Sequence, residues 1–308
     1  METTYWQRLT KDINKHKGLM ALAFPGLLFI LVFYYLPIFG LVLAFKNYNY
    51  SDGILGSPWS GFDNFKFFFT SDAAYQVTRN TILLNLCFII LSTIFSVVFA
   101  ILMFELGRKS VKVYQTAMFF PYFLSWVVVS YVTYALLNPE MGVVNMLLES
   151  FGMEAINFYF EPKYWPFILS FAYLWKSVGY ALLIYYTGLM GIDRTYYEAA
   201  AIDGATRLQQ VRKITLPLLT PLITLLTLLS IGKIFYSDFG LFYFIPANSG
   251  ALYGTTEVID TYVFRALRIS GDIGMASAVG LYQSLVGFVL VLTVNAIVRK
   301  INKDNAIF

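Results

Sequence analysis

Residues 81–104 read TILLNLCFIILSTIFSVVFAILMF, and none of these side chains carries a charge. A helix needs about 20 predominantly apolar residues to cross the hydrocarbon core of a bilayer. Five further stretches reach that length, and none has the small-residue cleavage site of a signal peptide. The chain is therefore predicted to be an all-α integral membrane protein with six transmembrane helices. These helices cover approximately residues 18–44, 81–104, 115–137, 165–190, 218–244 and 275–298.

The composition of the whole chain agrees with a membrane protein. Of its 308 residues, 58% are hydrophobic, 19% are aromatic and 13% are charged, whereas a soluble domain carries about 25% charged residues. These values exclude a disordered protein, a nucleic-acid binder and a disulfide-rich secreted module. Cys87 and His16 are single residues of their types, so an intrachain disulfide and a histidine-based metal site or triad lack their parts. We predict no catalytic residues and no metal site.

The distribution of lysine and arginine predicts the orientation, because cytoplasmic loops are enriched in both residues. The loops on one side hold fourteen of them and those on the other side hold six. Both termini are thus expected in the cytoplasm, with residues 1–17 as an N-terminal segment, 18–300 as one membrane domain and 301–308 as a tail. The N-terminal segment is either a short amphipathic helix at the membrane surface or a solvated tail. The fourteen are Arg8, Lys11, Lys15, Lys17, Arg108, Lys109, Lys112, Arg194, Arg207, Arg212, Lys213, Arg299, Lys300 and Lys303, and the six are Lys46, Lys66, Arg79, Lys163, Arg265 and Arg268.

The loop between the fourth and fifth spans is too polar to enter the membrane. Residues 196–221 read YYEAAAIDGATRLQQVRKITLPLLTP. The strong helix formers that start at Glu198 are interrupted by Gly204, and a second run from Ala205 ends shortly before Pro217. We predict a helix, a glycine turn and a second helix, all at the cytoplasmic surface. Glu198 is expected to cap the first of these helices or to pair with a basic residue.

The spacing within this loop resembles the signature of permease subunits of binding-protein-dependent ABC importers. That resemblance implies a type I ABC importer permease fold, in which residues 196–217 contain a coupling helix that docks into a cleft on the ATPase subunit. It also implies three partners, namely an ABC ATPase dimer, a second and usually different six-span permease, and an extracellular solute-binding protein. The alternative is an amphipathic connector without a partner. The signature positions are Glu198, Ala199, Ala200, Asp203, Gly204, Ile214, Leu216 and Pro217.

Motifs in the predicted outer loops indicate which branch of this permease family the chain resembles. Ala44-Phe45-Lys46, Gly61-Phe62-Asp63-Asn64-Phe65 and Asn138-Pro139-Glu140-Met141-Gly142 are similar to the carbohydrate branch related to the maltose permeases. Within that branch the chain resembles permeases for oligosaccharides or polysaccharide fragments in Gram-positive bacteria. The function implied is the import of a sugar across the bacterial cytoplasmic membrane by alternating access. A permease for another class of solute remains the alternative.

The chain is not expected to hydrolyse ATP itself. Its only Gly-Lys pair, at positions 232 and 233, lacks the preceding glycine of a phosphate-binding loop and is followed by an isoleucine. ATP and Mg²⁺ would therefore be bound by the partner ATPase, and we predict no cofactor in this chain. An ion-coupled carrier usually shows inverted repeats and midplane carboxylates, neither of which is visible here. A membrane enzyme would need more acid, base or metal-binding groups than the spans contain.

Two lysines fall within predicted spans and are candidates for the substrate path. Lys176 lies in the fourth span and Lys233 in the fifth, where a charge costs about 2.5–3.5 kcal/mol and usually faces a cavity or a partner. One or both lysines either attract hydroxyl-rich or anionic sugars, or each lysine pairs with carbonyls or a carboxylate of the second permease, or extends its ammonium to the membrane surface. Asp238, five residues beyond Lys233, is expected on another helix face. The aromatic residues proposed to join them, which packing alone would also explain, are Trp175, Tyr180 and Tyr236.

The second outer loop carries four carboxylates. Such a loop either receives the solute-binding protein or is a solvated face, and the sequence leaves both open. The four residues are Glu140, Glu149, Glu154 and Glu161.

Overall fold

The computed structural model describes residues 15–301, which form helices joined by turns. Most of the predicted N-terminal segment and of the tail lies outside the described residues, as does the amphipathic helix suggested for the former. An isolated antiparallel β-bridge pairs Lys46 with Trp59. In chain order the helices are α1 (Lys17–Phe45), α2 (Gly53–Gly56), α3 (Asp63–Phe69), α4 (Asp72–Phe104), α5 (Arg108–Phe119), α6 (Trp126–Leu137), α7 (Val143–Ser150), α8 (Trp165–Met190), α9 (Arg194–Ile202), α10 (Arg207–Ile231), α11 (Phe239–Phe244), α12 (Tyr253–Thr256), α13 (Ile259–Arg268) and α14 (Ile273–Ile301).

Five of these helices are long and apolar enough to cross a membrane, and a bent pair makes a sixth candidate if it counts as one span. The five are α1, α4, α8, α10 and α14, and the bent pair is α5 with α6. Helix α4 begins at Asp72, nine residues before the predicted start of the second span. The extra turns belong to the outer part of the chain, where they pack against α13.

The third predicted span, residues 115–137, is not one straight helix. Its two halves meet at an angle of 98°. A 3-10 turn at Phe120–Phe123 follows α5, with Pro121 near its start, where a proline fits because it has no N–H to donate. The chain then becomes extended, and the Ser125 side chain accepts a hydrogen bond from the Val128 amide to start α6. The proline and the serine cap together explain the break.

The fifth predicted span, residues 218–244, is not one helix. Helix α10 begins at Arg207 and ends at Ile231, so it contains the start of that span but not its last residues. The second half of the loop between α8 and residue 218 is the first part of this helix rather than a separate surface helix. A π turn at Val211–Thr215 precedes Pro217, whose missing N–H leaves the helix one donor short. Residues after Ile231 form turns until α11, so the helical spacing assumed between Lys233 and Asp238 does not exist.

Helices α4 and α8 run side by side through the centre of the molecule. Buried side chains of α4, α6, α8 and α11 form one core cluster, and those of α4, α5, α8 and α10 form a second. A third cluster joins α3, α4, α13 and α14 with the turns after α10. Ala44 is the single buried residue of α1, whose large apolar side chains are mostly exposed. Helix α1 therefore lies at the periphery of the chain.

Of the basic residues counted as outer-loop charges, one is buried and another is partly buried. Lys46 is 4% exposed, and its ammonium donates to the carbonyl oxygens of Ile54 and Leu55, both at 2.8 Å. Arg265 forms an ion pair with Glu257, and both side chains are largely buried. A charge inside a protein needs such partners to offset its lost hydration. These two residues stabilise the outer segments rather than reporting orientation.

Candidate functional site

The loop between α8 and α10 begins with a capped helix. The Asp193 side chain accepts a hydrogen bond of 3.0 Å from the Thr195 amide at the N-terminus of α9. Bonds from the amide and the hydroxyl of Thr195 lower the pKa of the Asp193 carboxyl below its usual value. Glu198, predicted as the cap, lies in the second turn of the helix and makes no ion pair with the residues described. The cap prediction was wrong because the helix starts four residues before Glu198, whereas a pair with a basic residue of a partner protein stays a prediction.

The turn after α9 depends on Gly204, as predicted. Its φ is +78°, a conformation in which a side chain is strained, and its missing Cβ would face open space. A reciprocal cap then starts α10, since the Gln209 amide donates to the Thr206 hydroxyl at 3.4 Å and the Gln209 side chain accepts from the Thr206 amide at 2.7 Å. The turn and the cap together project α9 away from α10.

The loop forms one side of a groove of about 710 Å³ beside the C-terminal end of α4. Arg207 Nη1 lies 3.3 Å from Glu105 Oε2 across the groove, and because both side chains are exposed this pair contributes little stability. Two large apolar side chains of the loop are exposed, Ile202 at 87% and Leu208 at 64%. The groove is lined by Phe104, Glu105, Arg194, Tyr197, Glu198, Ala201, Gly204, Ala205, Thr206, Arg207 and Gln210.

The eight signature residues do not all line this groove. Glu198 and Gly204 line it, while Ala199, Ala200 and Asp203 lie on or next to α9 without doing so. The remaining three, Ile214, Leu216 and Pro217, lie at the π turn and in the first turns that follow it.

A second cavity, of about 580 Å³, lies between α4, α8 and α10. Five tyrosines and four serine or threonine residues line it, so its wall offers many hydroxyl groups. The lining residues are Asn85, Phe88, Ile89, Ser92, Thr93, Tyr122, Tyr173, Ser177, Tyr180, Ala181, Ile184, Tyr185, Leu226, Leu229, Ser230, Lys233, Ile234, Tyr236 and Asp238.

Part of this wall is the non-helical segment 232–238, whose backbone polar groups are bonded by side chains from other helices. Asn85 Nδ2 of α4 donates to the Ile234 carbonyl oxygen at 2.9 Å. Gln283 Nε2 of α14 donates to the Phe235 carbonyl oxygen. The Ser237 amide donates to Asp260 Oδ2 of α13 at 2.7 Å. Irregular backbone at membrane depth requires such partners, because lipid supplies none.

The Asp260 carboxyl is central to this arrangement. Gln283 Nε2 also lies 3.3 Å from each of its oxygens. Burial raises the pKa of Asp260, while the bonds from Ser237 and Gln283 act in the opposite direction. Asn85, Asp260 and Gln283 were not predicted as functional residues. A polar residue inside an apolar run, such as Asn85 within residues 81–104, is the signal that could have identified one of them.

The five residues predicted for the substrate path separate into two groups. Tyr180, Lys233 and Tyr236 line the cavity, whereas Lys176 and Trp175 do not. The Tyr180 ring stacks on that of Tyr122 with 4.9 Å between centroids. The Tyr236 hydroxyl lies 3.1 Å from the Ser284 hydroxyl.

Lys176 contacts the break in the third span instead. Its ammonium donates to the Tyr122 carbonyl oxygen at 2.8 Å and lies 5.2 and 5.1 Å from the ring centroids of Tyr122 and Trp126. Trp126 Nε1 in turn donates to Asp238 Oδ2 at 2.6 Å, and Asp238 Oδ1 accepts from the Gly240 amide at 3.0 Å to cap α11. Sequence reasoning missed Asp238 as a helix cap, although an acidic residue directly before a helical run is the usual signal.

Residues 67–303 match the family described as "Binding-protein-dependent transport system inner membrane component". The chain is similar to the polygalacturonan/rhamnogalacturonan transport system permease protein YteP of Bacillus subtilis, at 31% identity over 97% of this chain and 92% of YteP. It is also similar to the protein LplB of the same organism, at 32% identity over 95% and 92% of the two chains.

Among solved structures, one chain in the crystal structure of a bacterial ABC transporter involved in the import of the acidic polysaccharide alginate aligns with a TM-score of 0.88 and 31% identity. The alignment covers 96% of this chain and 99% of that one. A second structure shows the bacterial alginate ABC transporter in complex with an alginate pentasaccharide-bound periplasmic protein, and it aligns with a TM-score of 0.87.

Proposed function

The chain belongs to the family of binding-protein-dependent transport system inner membrane components, and from this premise we propose that it takes an oligosaccharide from an extracellular binding protein and releases it in the cytoplasm. It is a multi-pass membrane permease of an ABC importer and not itself an ATPase. One observation supports this class of substrate. Over nearly its full length the chain is similar to YteP and to a chain of the alginate transporter, both from polysaccharide import systems. Another class of solute is the alternative.

The cavity between α4, α8 and α10 supports a saccharide as the substrate. Its hydroxyl groups can exchange hydrogen bonds with sugar hydroxyls, and exposed tyrosine rings such as Tyr180 can pack against the apolar faces of sugar rings. We assign Tyr180, Lys233 and Tyr236 to the substrate path. Lys176 does not line the cavity and instead holds Tyr122 and Trp126 in place next to it. We assign Trp175 no contact with the substrate.

The number of spans and the charges of the segments between them support a topology for the chain in the membrane. We propose six spans, the third of them bent, with both termini in the cytoplasm and the loop that contains α9 on the same side. The excess of lysine and arginine in these segments supports this orientation. A pore then requires a second six-span permease, which would cover surface that this chain leaves exposed.

The cytoplasmic loop is proposed as the coupling helix, and an ABC ATPase dimer, which binds ATP and Mg²⁺, as its partner. Helix α9 carries exposed Glu198 and Ala199, and the neighbouring Ile202 is an exposed apolar residue suited to a cleft on a partner protein. Because α10 is continuous from Arg207 to Ile231, a tilt of the docked loop moves the whole fifth span as a rigid body. ATP-driven closure of the ATPase dimer would thereby open the cavity alternately to the two sides.

Purification of the chain from its own membranes in mild detergent tests this proposal. The wild-type chain should carry an ABC ATPase and a second six-span protein. Gly204→Val should lose the ATPase but keep the second permease, because a β-branched residue does not adopt a φ of +78° without strain.

Gly107→Val is the matched control. Gly107 directly precedes α5 and, like Gly204, has open space at its Cβ position, but its φ is −69°. The control should retain both partners. A wild-type chain that purifies alone, or an ATPase that stays bound to the Gly204→Val chain, would contradict the coupling role.

A further inference from the structure

The cavity wall contains one lysine and one carboxylic acid side chain, Lys233 and Asp238. Both oxygens of Asp238 are engaged, one by the Trp126 indole at 2.6 Å and the other by the Gly240 amide at 3.0 Å. The Lys233 ammonium makes no hydrogen bond or ion pair with any residue between positions 15 and 301. Lys233 is therefore the charged group of this wall that is free to bind a ligand.

Lys176 cannot take the same role in this arrangement. Its ammonium is held by the Tyr122 carbonyl and by two aromatic rings, and it lies outside the cavity lining. Lys176 and Asp238 share Trp126 as a neighbour, since the Lys176 ammonium lies 5.1 Å from its ring and Asp238 accepts from its indole. Of the two charged side chains in the cavity lining, Lys233 is the one without a hydrogen bond or ion pair to a described residue.

The position of Lys233 is fixed by its surroundings. Ile234 and Phe235, the next two residues, are buried in the core cluster that joins α4 and α14. Asn85 and Gln283 hold the carbonyl oxygens of these two residues. The backbone at Lys233 is thus anchored by two other helices, and the residue lines the cavity.

An ammonium group that lines a cavity and has no ion pair or hydrogen bond with a described residue is available to attract an anion. A saccharide with hydroxyl groups and one carboxylate per sugar residue matches a cavity that offers many hydroxyls and a single free cation. We infer that Lys233 binds a carboxylate of the passing substrate, so that the permease itself selects uronate-containing over neutral oligosaccharides. This inference rests on the proposed function and names Lys233 as the group that determines which substrate charge the permease prefers.

The test uses the complete transporter with both permeases, the ATPase and the binding protein in proteoliposomes. The probes are trigalacturonate and its fully methyl-esterified form, which has the same length and no charge. For each probe, uptake by the variant is divided by uptake by the wild type. A preference of the binding protein for one probe affects both transporters equally and therefore cancels in this ratio. Lys233→Met should lower trigalacturonate uptake at least tenfold and uptake of the ester less than twofold.

Two further variants make the result specific. Lys233→Arg keeps the positive charge and should retain trigalacturonate uptake within threefold. Lys66→Met removes an exposed lysine outside the cavity and should change neither uptake.

Equal losses on both probes with Lys233→Met would overturn the inference, since they would mean that Lys233 pairs with the second permease or supports folding. Unchanged uptake of both would overturn it as well. In either of these cases the proposed function stands, because the wild type imports the saccharides. A wild-type transporter that imports neither probe when its loaded binding protein and ATP are present would contradict the proposed function and this inference with it.

Discussion

Trp126 Nε1 donates a hydrogen bond to Asp238 Oδ2 at 2.6 Å, and this bond joins the breaks in the third and fifth spans. Trp126 is the first residue of α6, and Asp238 is the cap of α11. Gly240 lies so close to the indole that a Cβ there would overlap it. With Lys176 beneath the ring, the two interrupted spans and α8 form one unit at the edge of the cavity.

Trp126→Phe removes this hydrogen bond and keeps an aromatic ring in place. We expect the free energy of unfolding to fall by about 1 kcal/mol, less than the 1.5–3 typical of bonds to charged groups, because this pair is partly exposed. Unfolding by sodium dodecyl sulfate in mixed micelles measures the difference. Trp59→Phe is the control, since the structure shows no hydrogen bond from the Trp59 indole and the residue is exposed. Equal effects of the two substitutions would show that the bond to Asp238 contributes nothing.

Asp260→Asn should destabilise the segment after α10. The carboxylate accepts from the Ser237 amide and lies beside the Gln283 side-chain amide, and an asparagine offers only one acceptor oxygen for these two donors. A buried donor left without a partner costs about 1–3 kcal/mol. The same unfolding measurement applies.

Asp272→Asn is the matched control for Asp260→Asn. The Asp272 side chain accepts from the Met275 amide at 2.8 Å to cap α14, and asparagine caps helices about as well as aspartate. We expect a change within about 0.5 kcal/mol. A loss at Asp260 no larger than that at Asp272 would contradict the role of Asp260 in holding the break.

Gly179→Ala should be among the most damaging single substitutions in α8. A Cβ at Gly179 would overlap the carbonyl group of Met118 and contact the Phe119 Cα, and backbone atoms cannot move aside without separating the helices. We expect a loss of about 3 kcal/mol, at the upper end of what overpacking usually costs. Small residues at helix contacts have this role in membranes, where close approach of backbones drives association.

Gly280→Ala tests whether that effect belongs to the contact rather than to glycine itself. Gly280 is also inside a long helix, but nothing lies within 4 Å of the position its Cβ would take. Alanine should leave stability unchanged or raise it by up to about 1 kcal/mol, owing to its higher helix propensity. Similar losses for both substitutions would mean that α8 does not pack on Met118 as described.

Thr206→Ala should loosen the start of α10 next to the proposed coupling helix. It removes the acceptor of the Gln209 amide and half of the reciprocal cap, which usually costs about 1 kcal/mol. Hydrogen exchange of the Gln209 amide should accelerate several-fold. Thr206→Ser restores the hydroxyl and should restore slow exchange, and equal rates in both variants would rule out the cap.

The sequence predicted the long spans well where hydropathy alone decides. The ranges 81–104, 165–190 and 275–298 lie within single helices, because an apolar segment in a bilayer has no alternative to intrahelical hydrogen bonds. The turn at Gly204 was also predictable, since a glycine between two runs of helix formers signals a change of direction. Both features depend on neighbouring residues only.

The breaks at 120–125 and 232–238 could not be predicted in the same way. Each break depends on side chains from elsewhere in the chain. Lys176 bonds the backbone at Tyr122, and the partners of the segment 232–238, Asn85, Asp260 and Gln283, come from three other helices. For the same reason the sequence treated Lys176 and Lys233 as equivalent.

By itself, then, the sequence determined that the chain crosses the membrane with α-helices and presents a helix–glycine–helix loop on one side. The tertiary structure alone decided which spans are interrupted, that Lys176 is held by Tyr122 and Trp126, and that Lys233 faces the cavity. The physical reason is the range of the interactions. Hydropathy and helix propensity act between residues a few positions apart, whereas a non-helical segment within a membrane exists only where distant side chains satisfy its backbone.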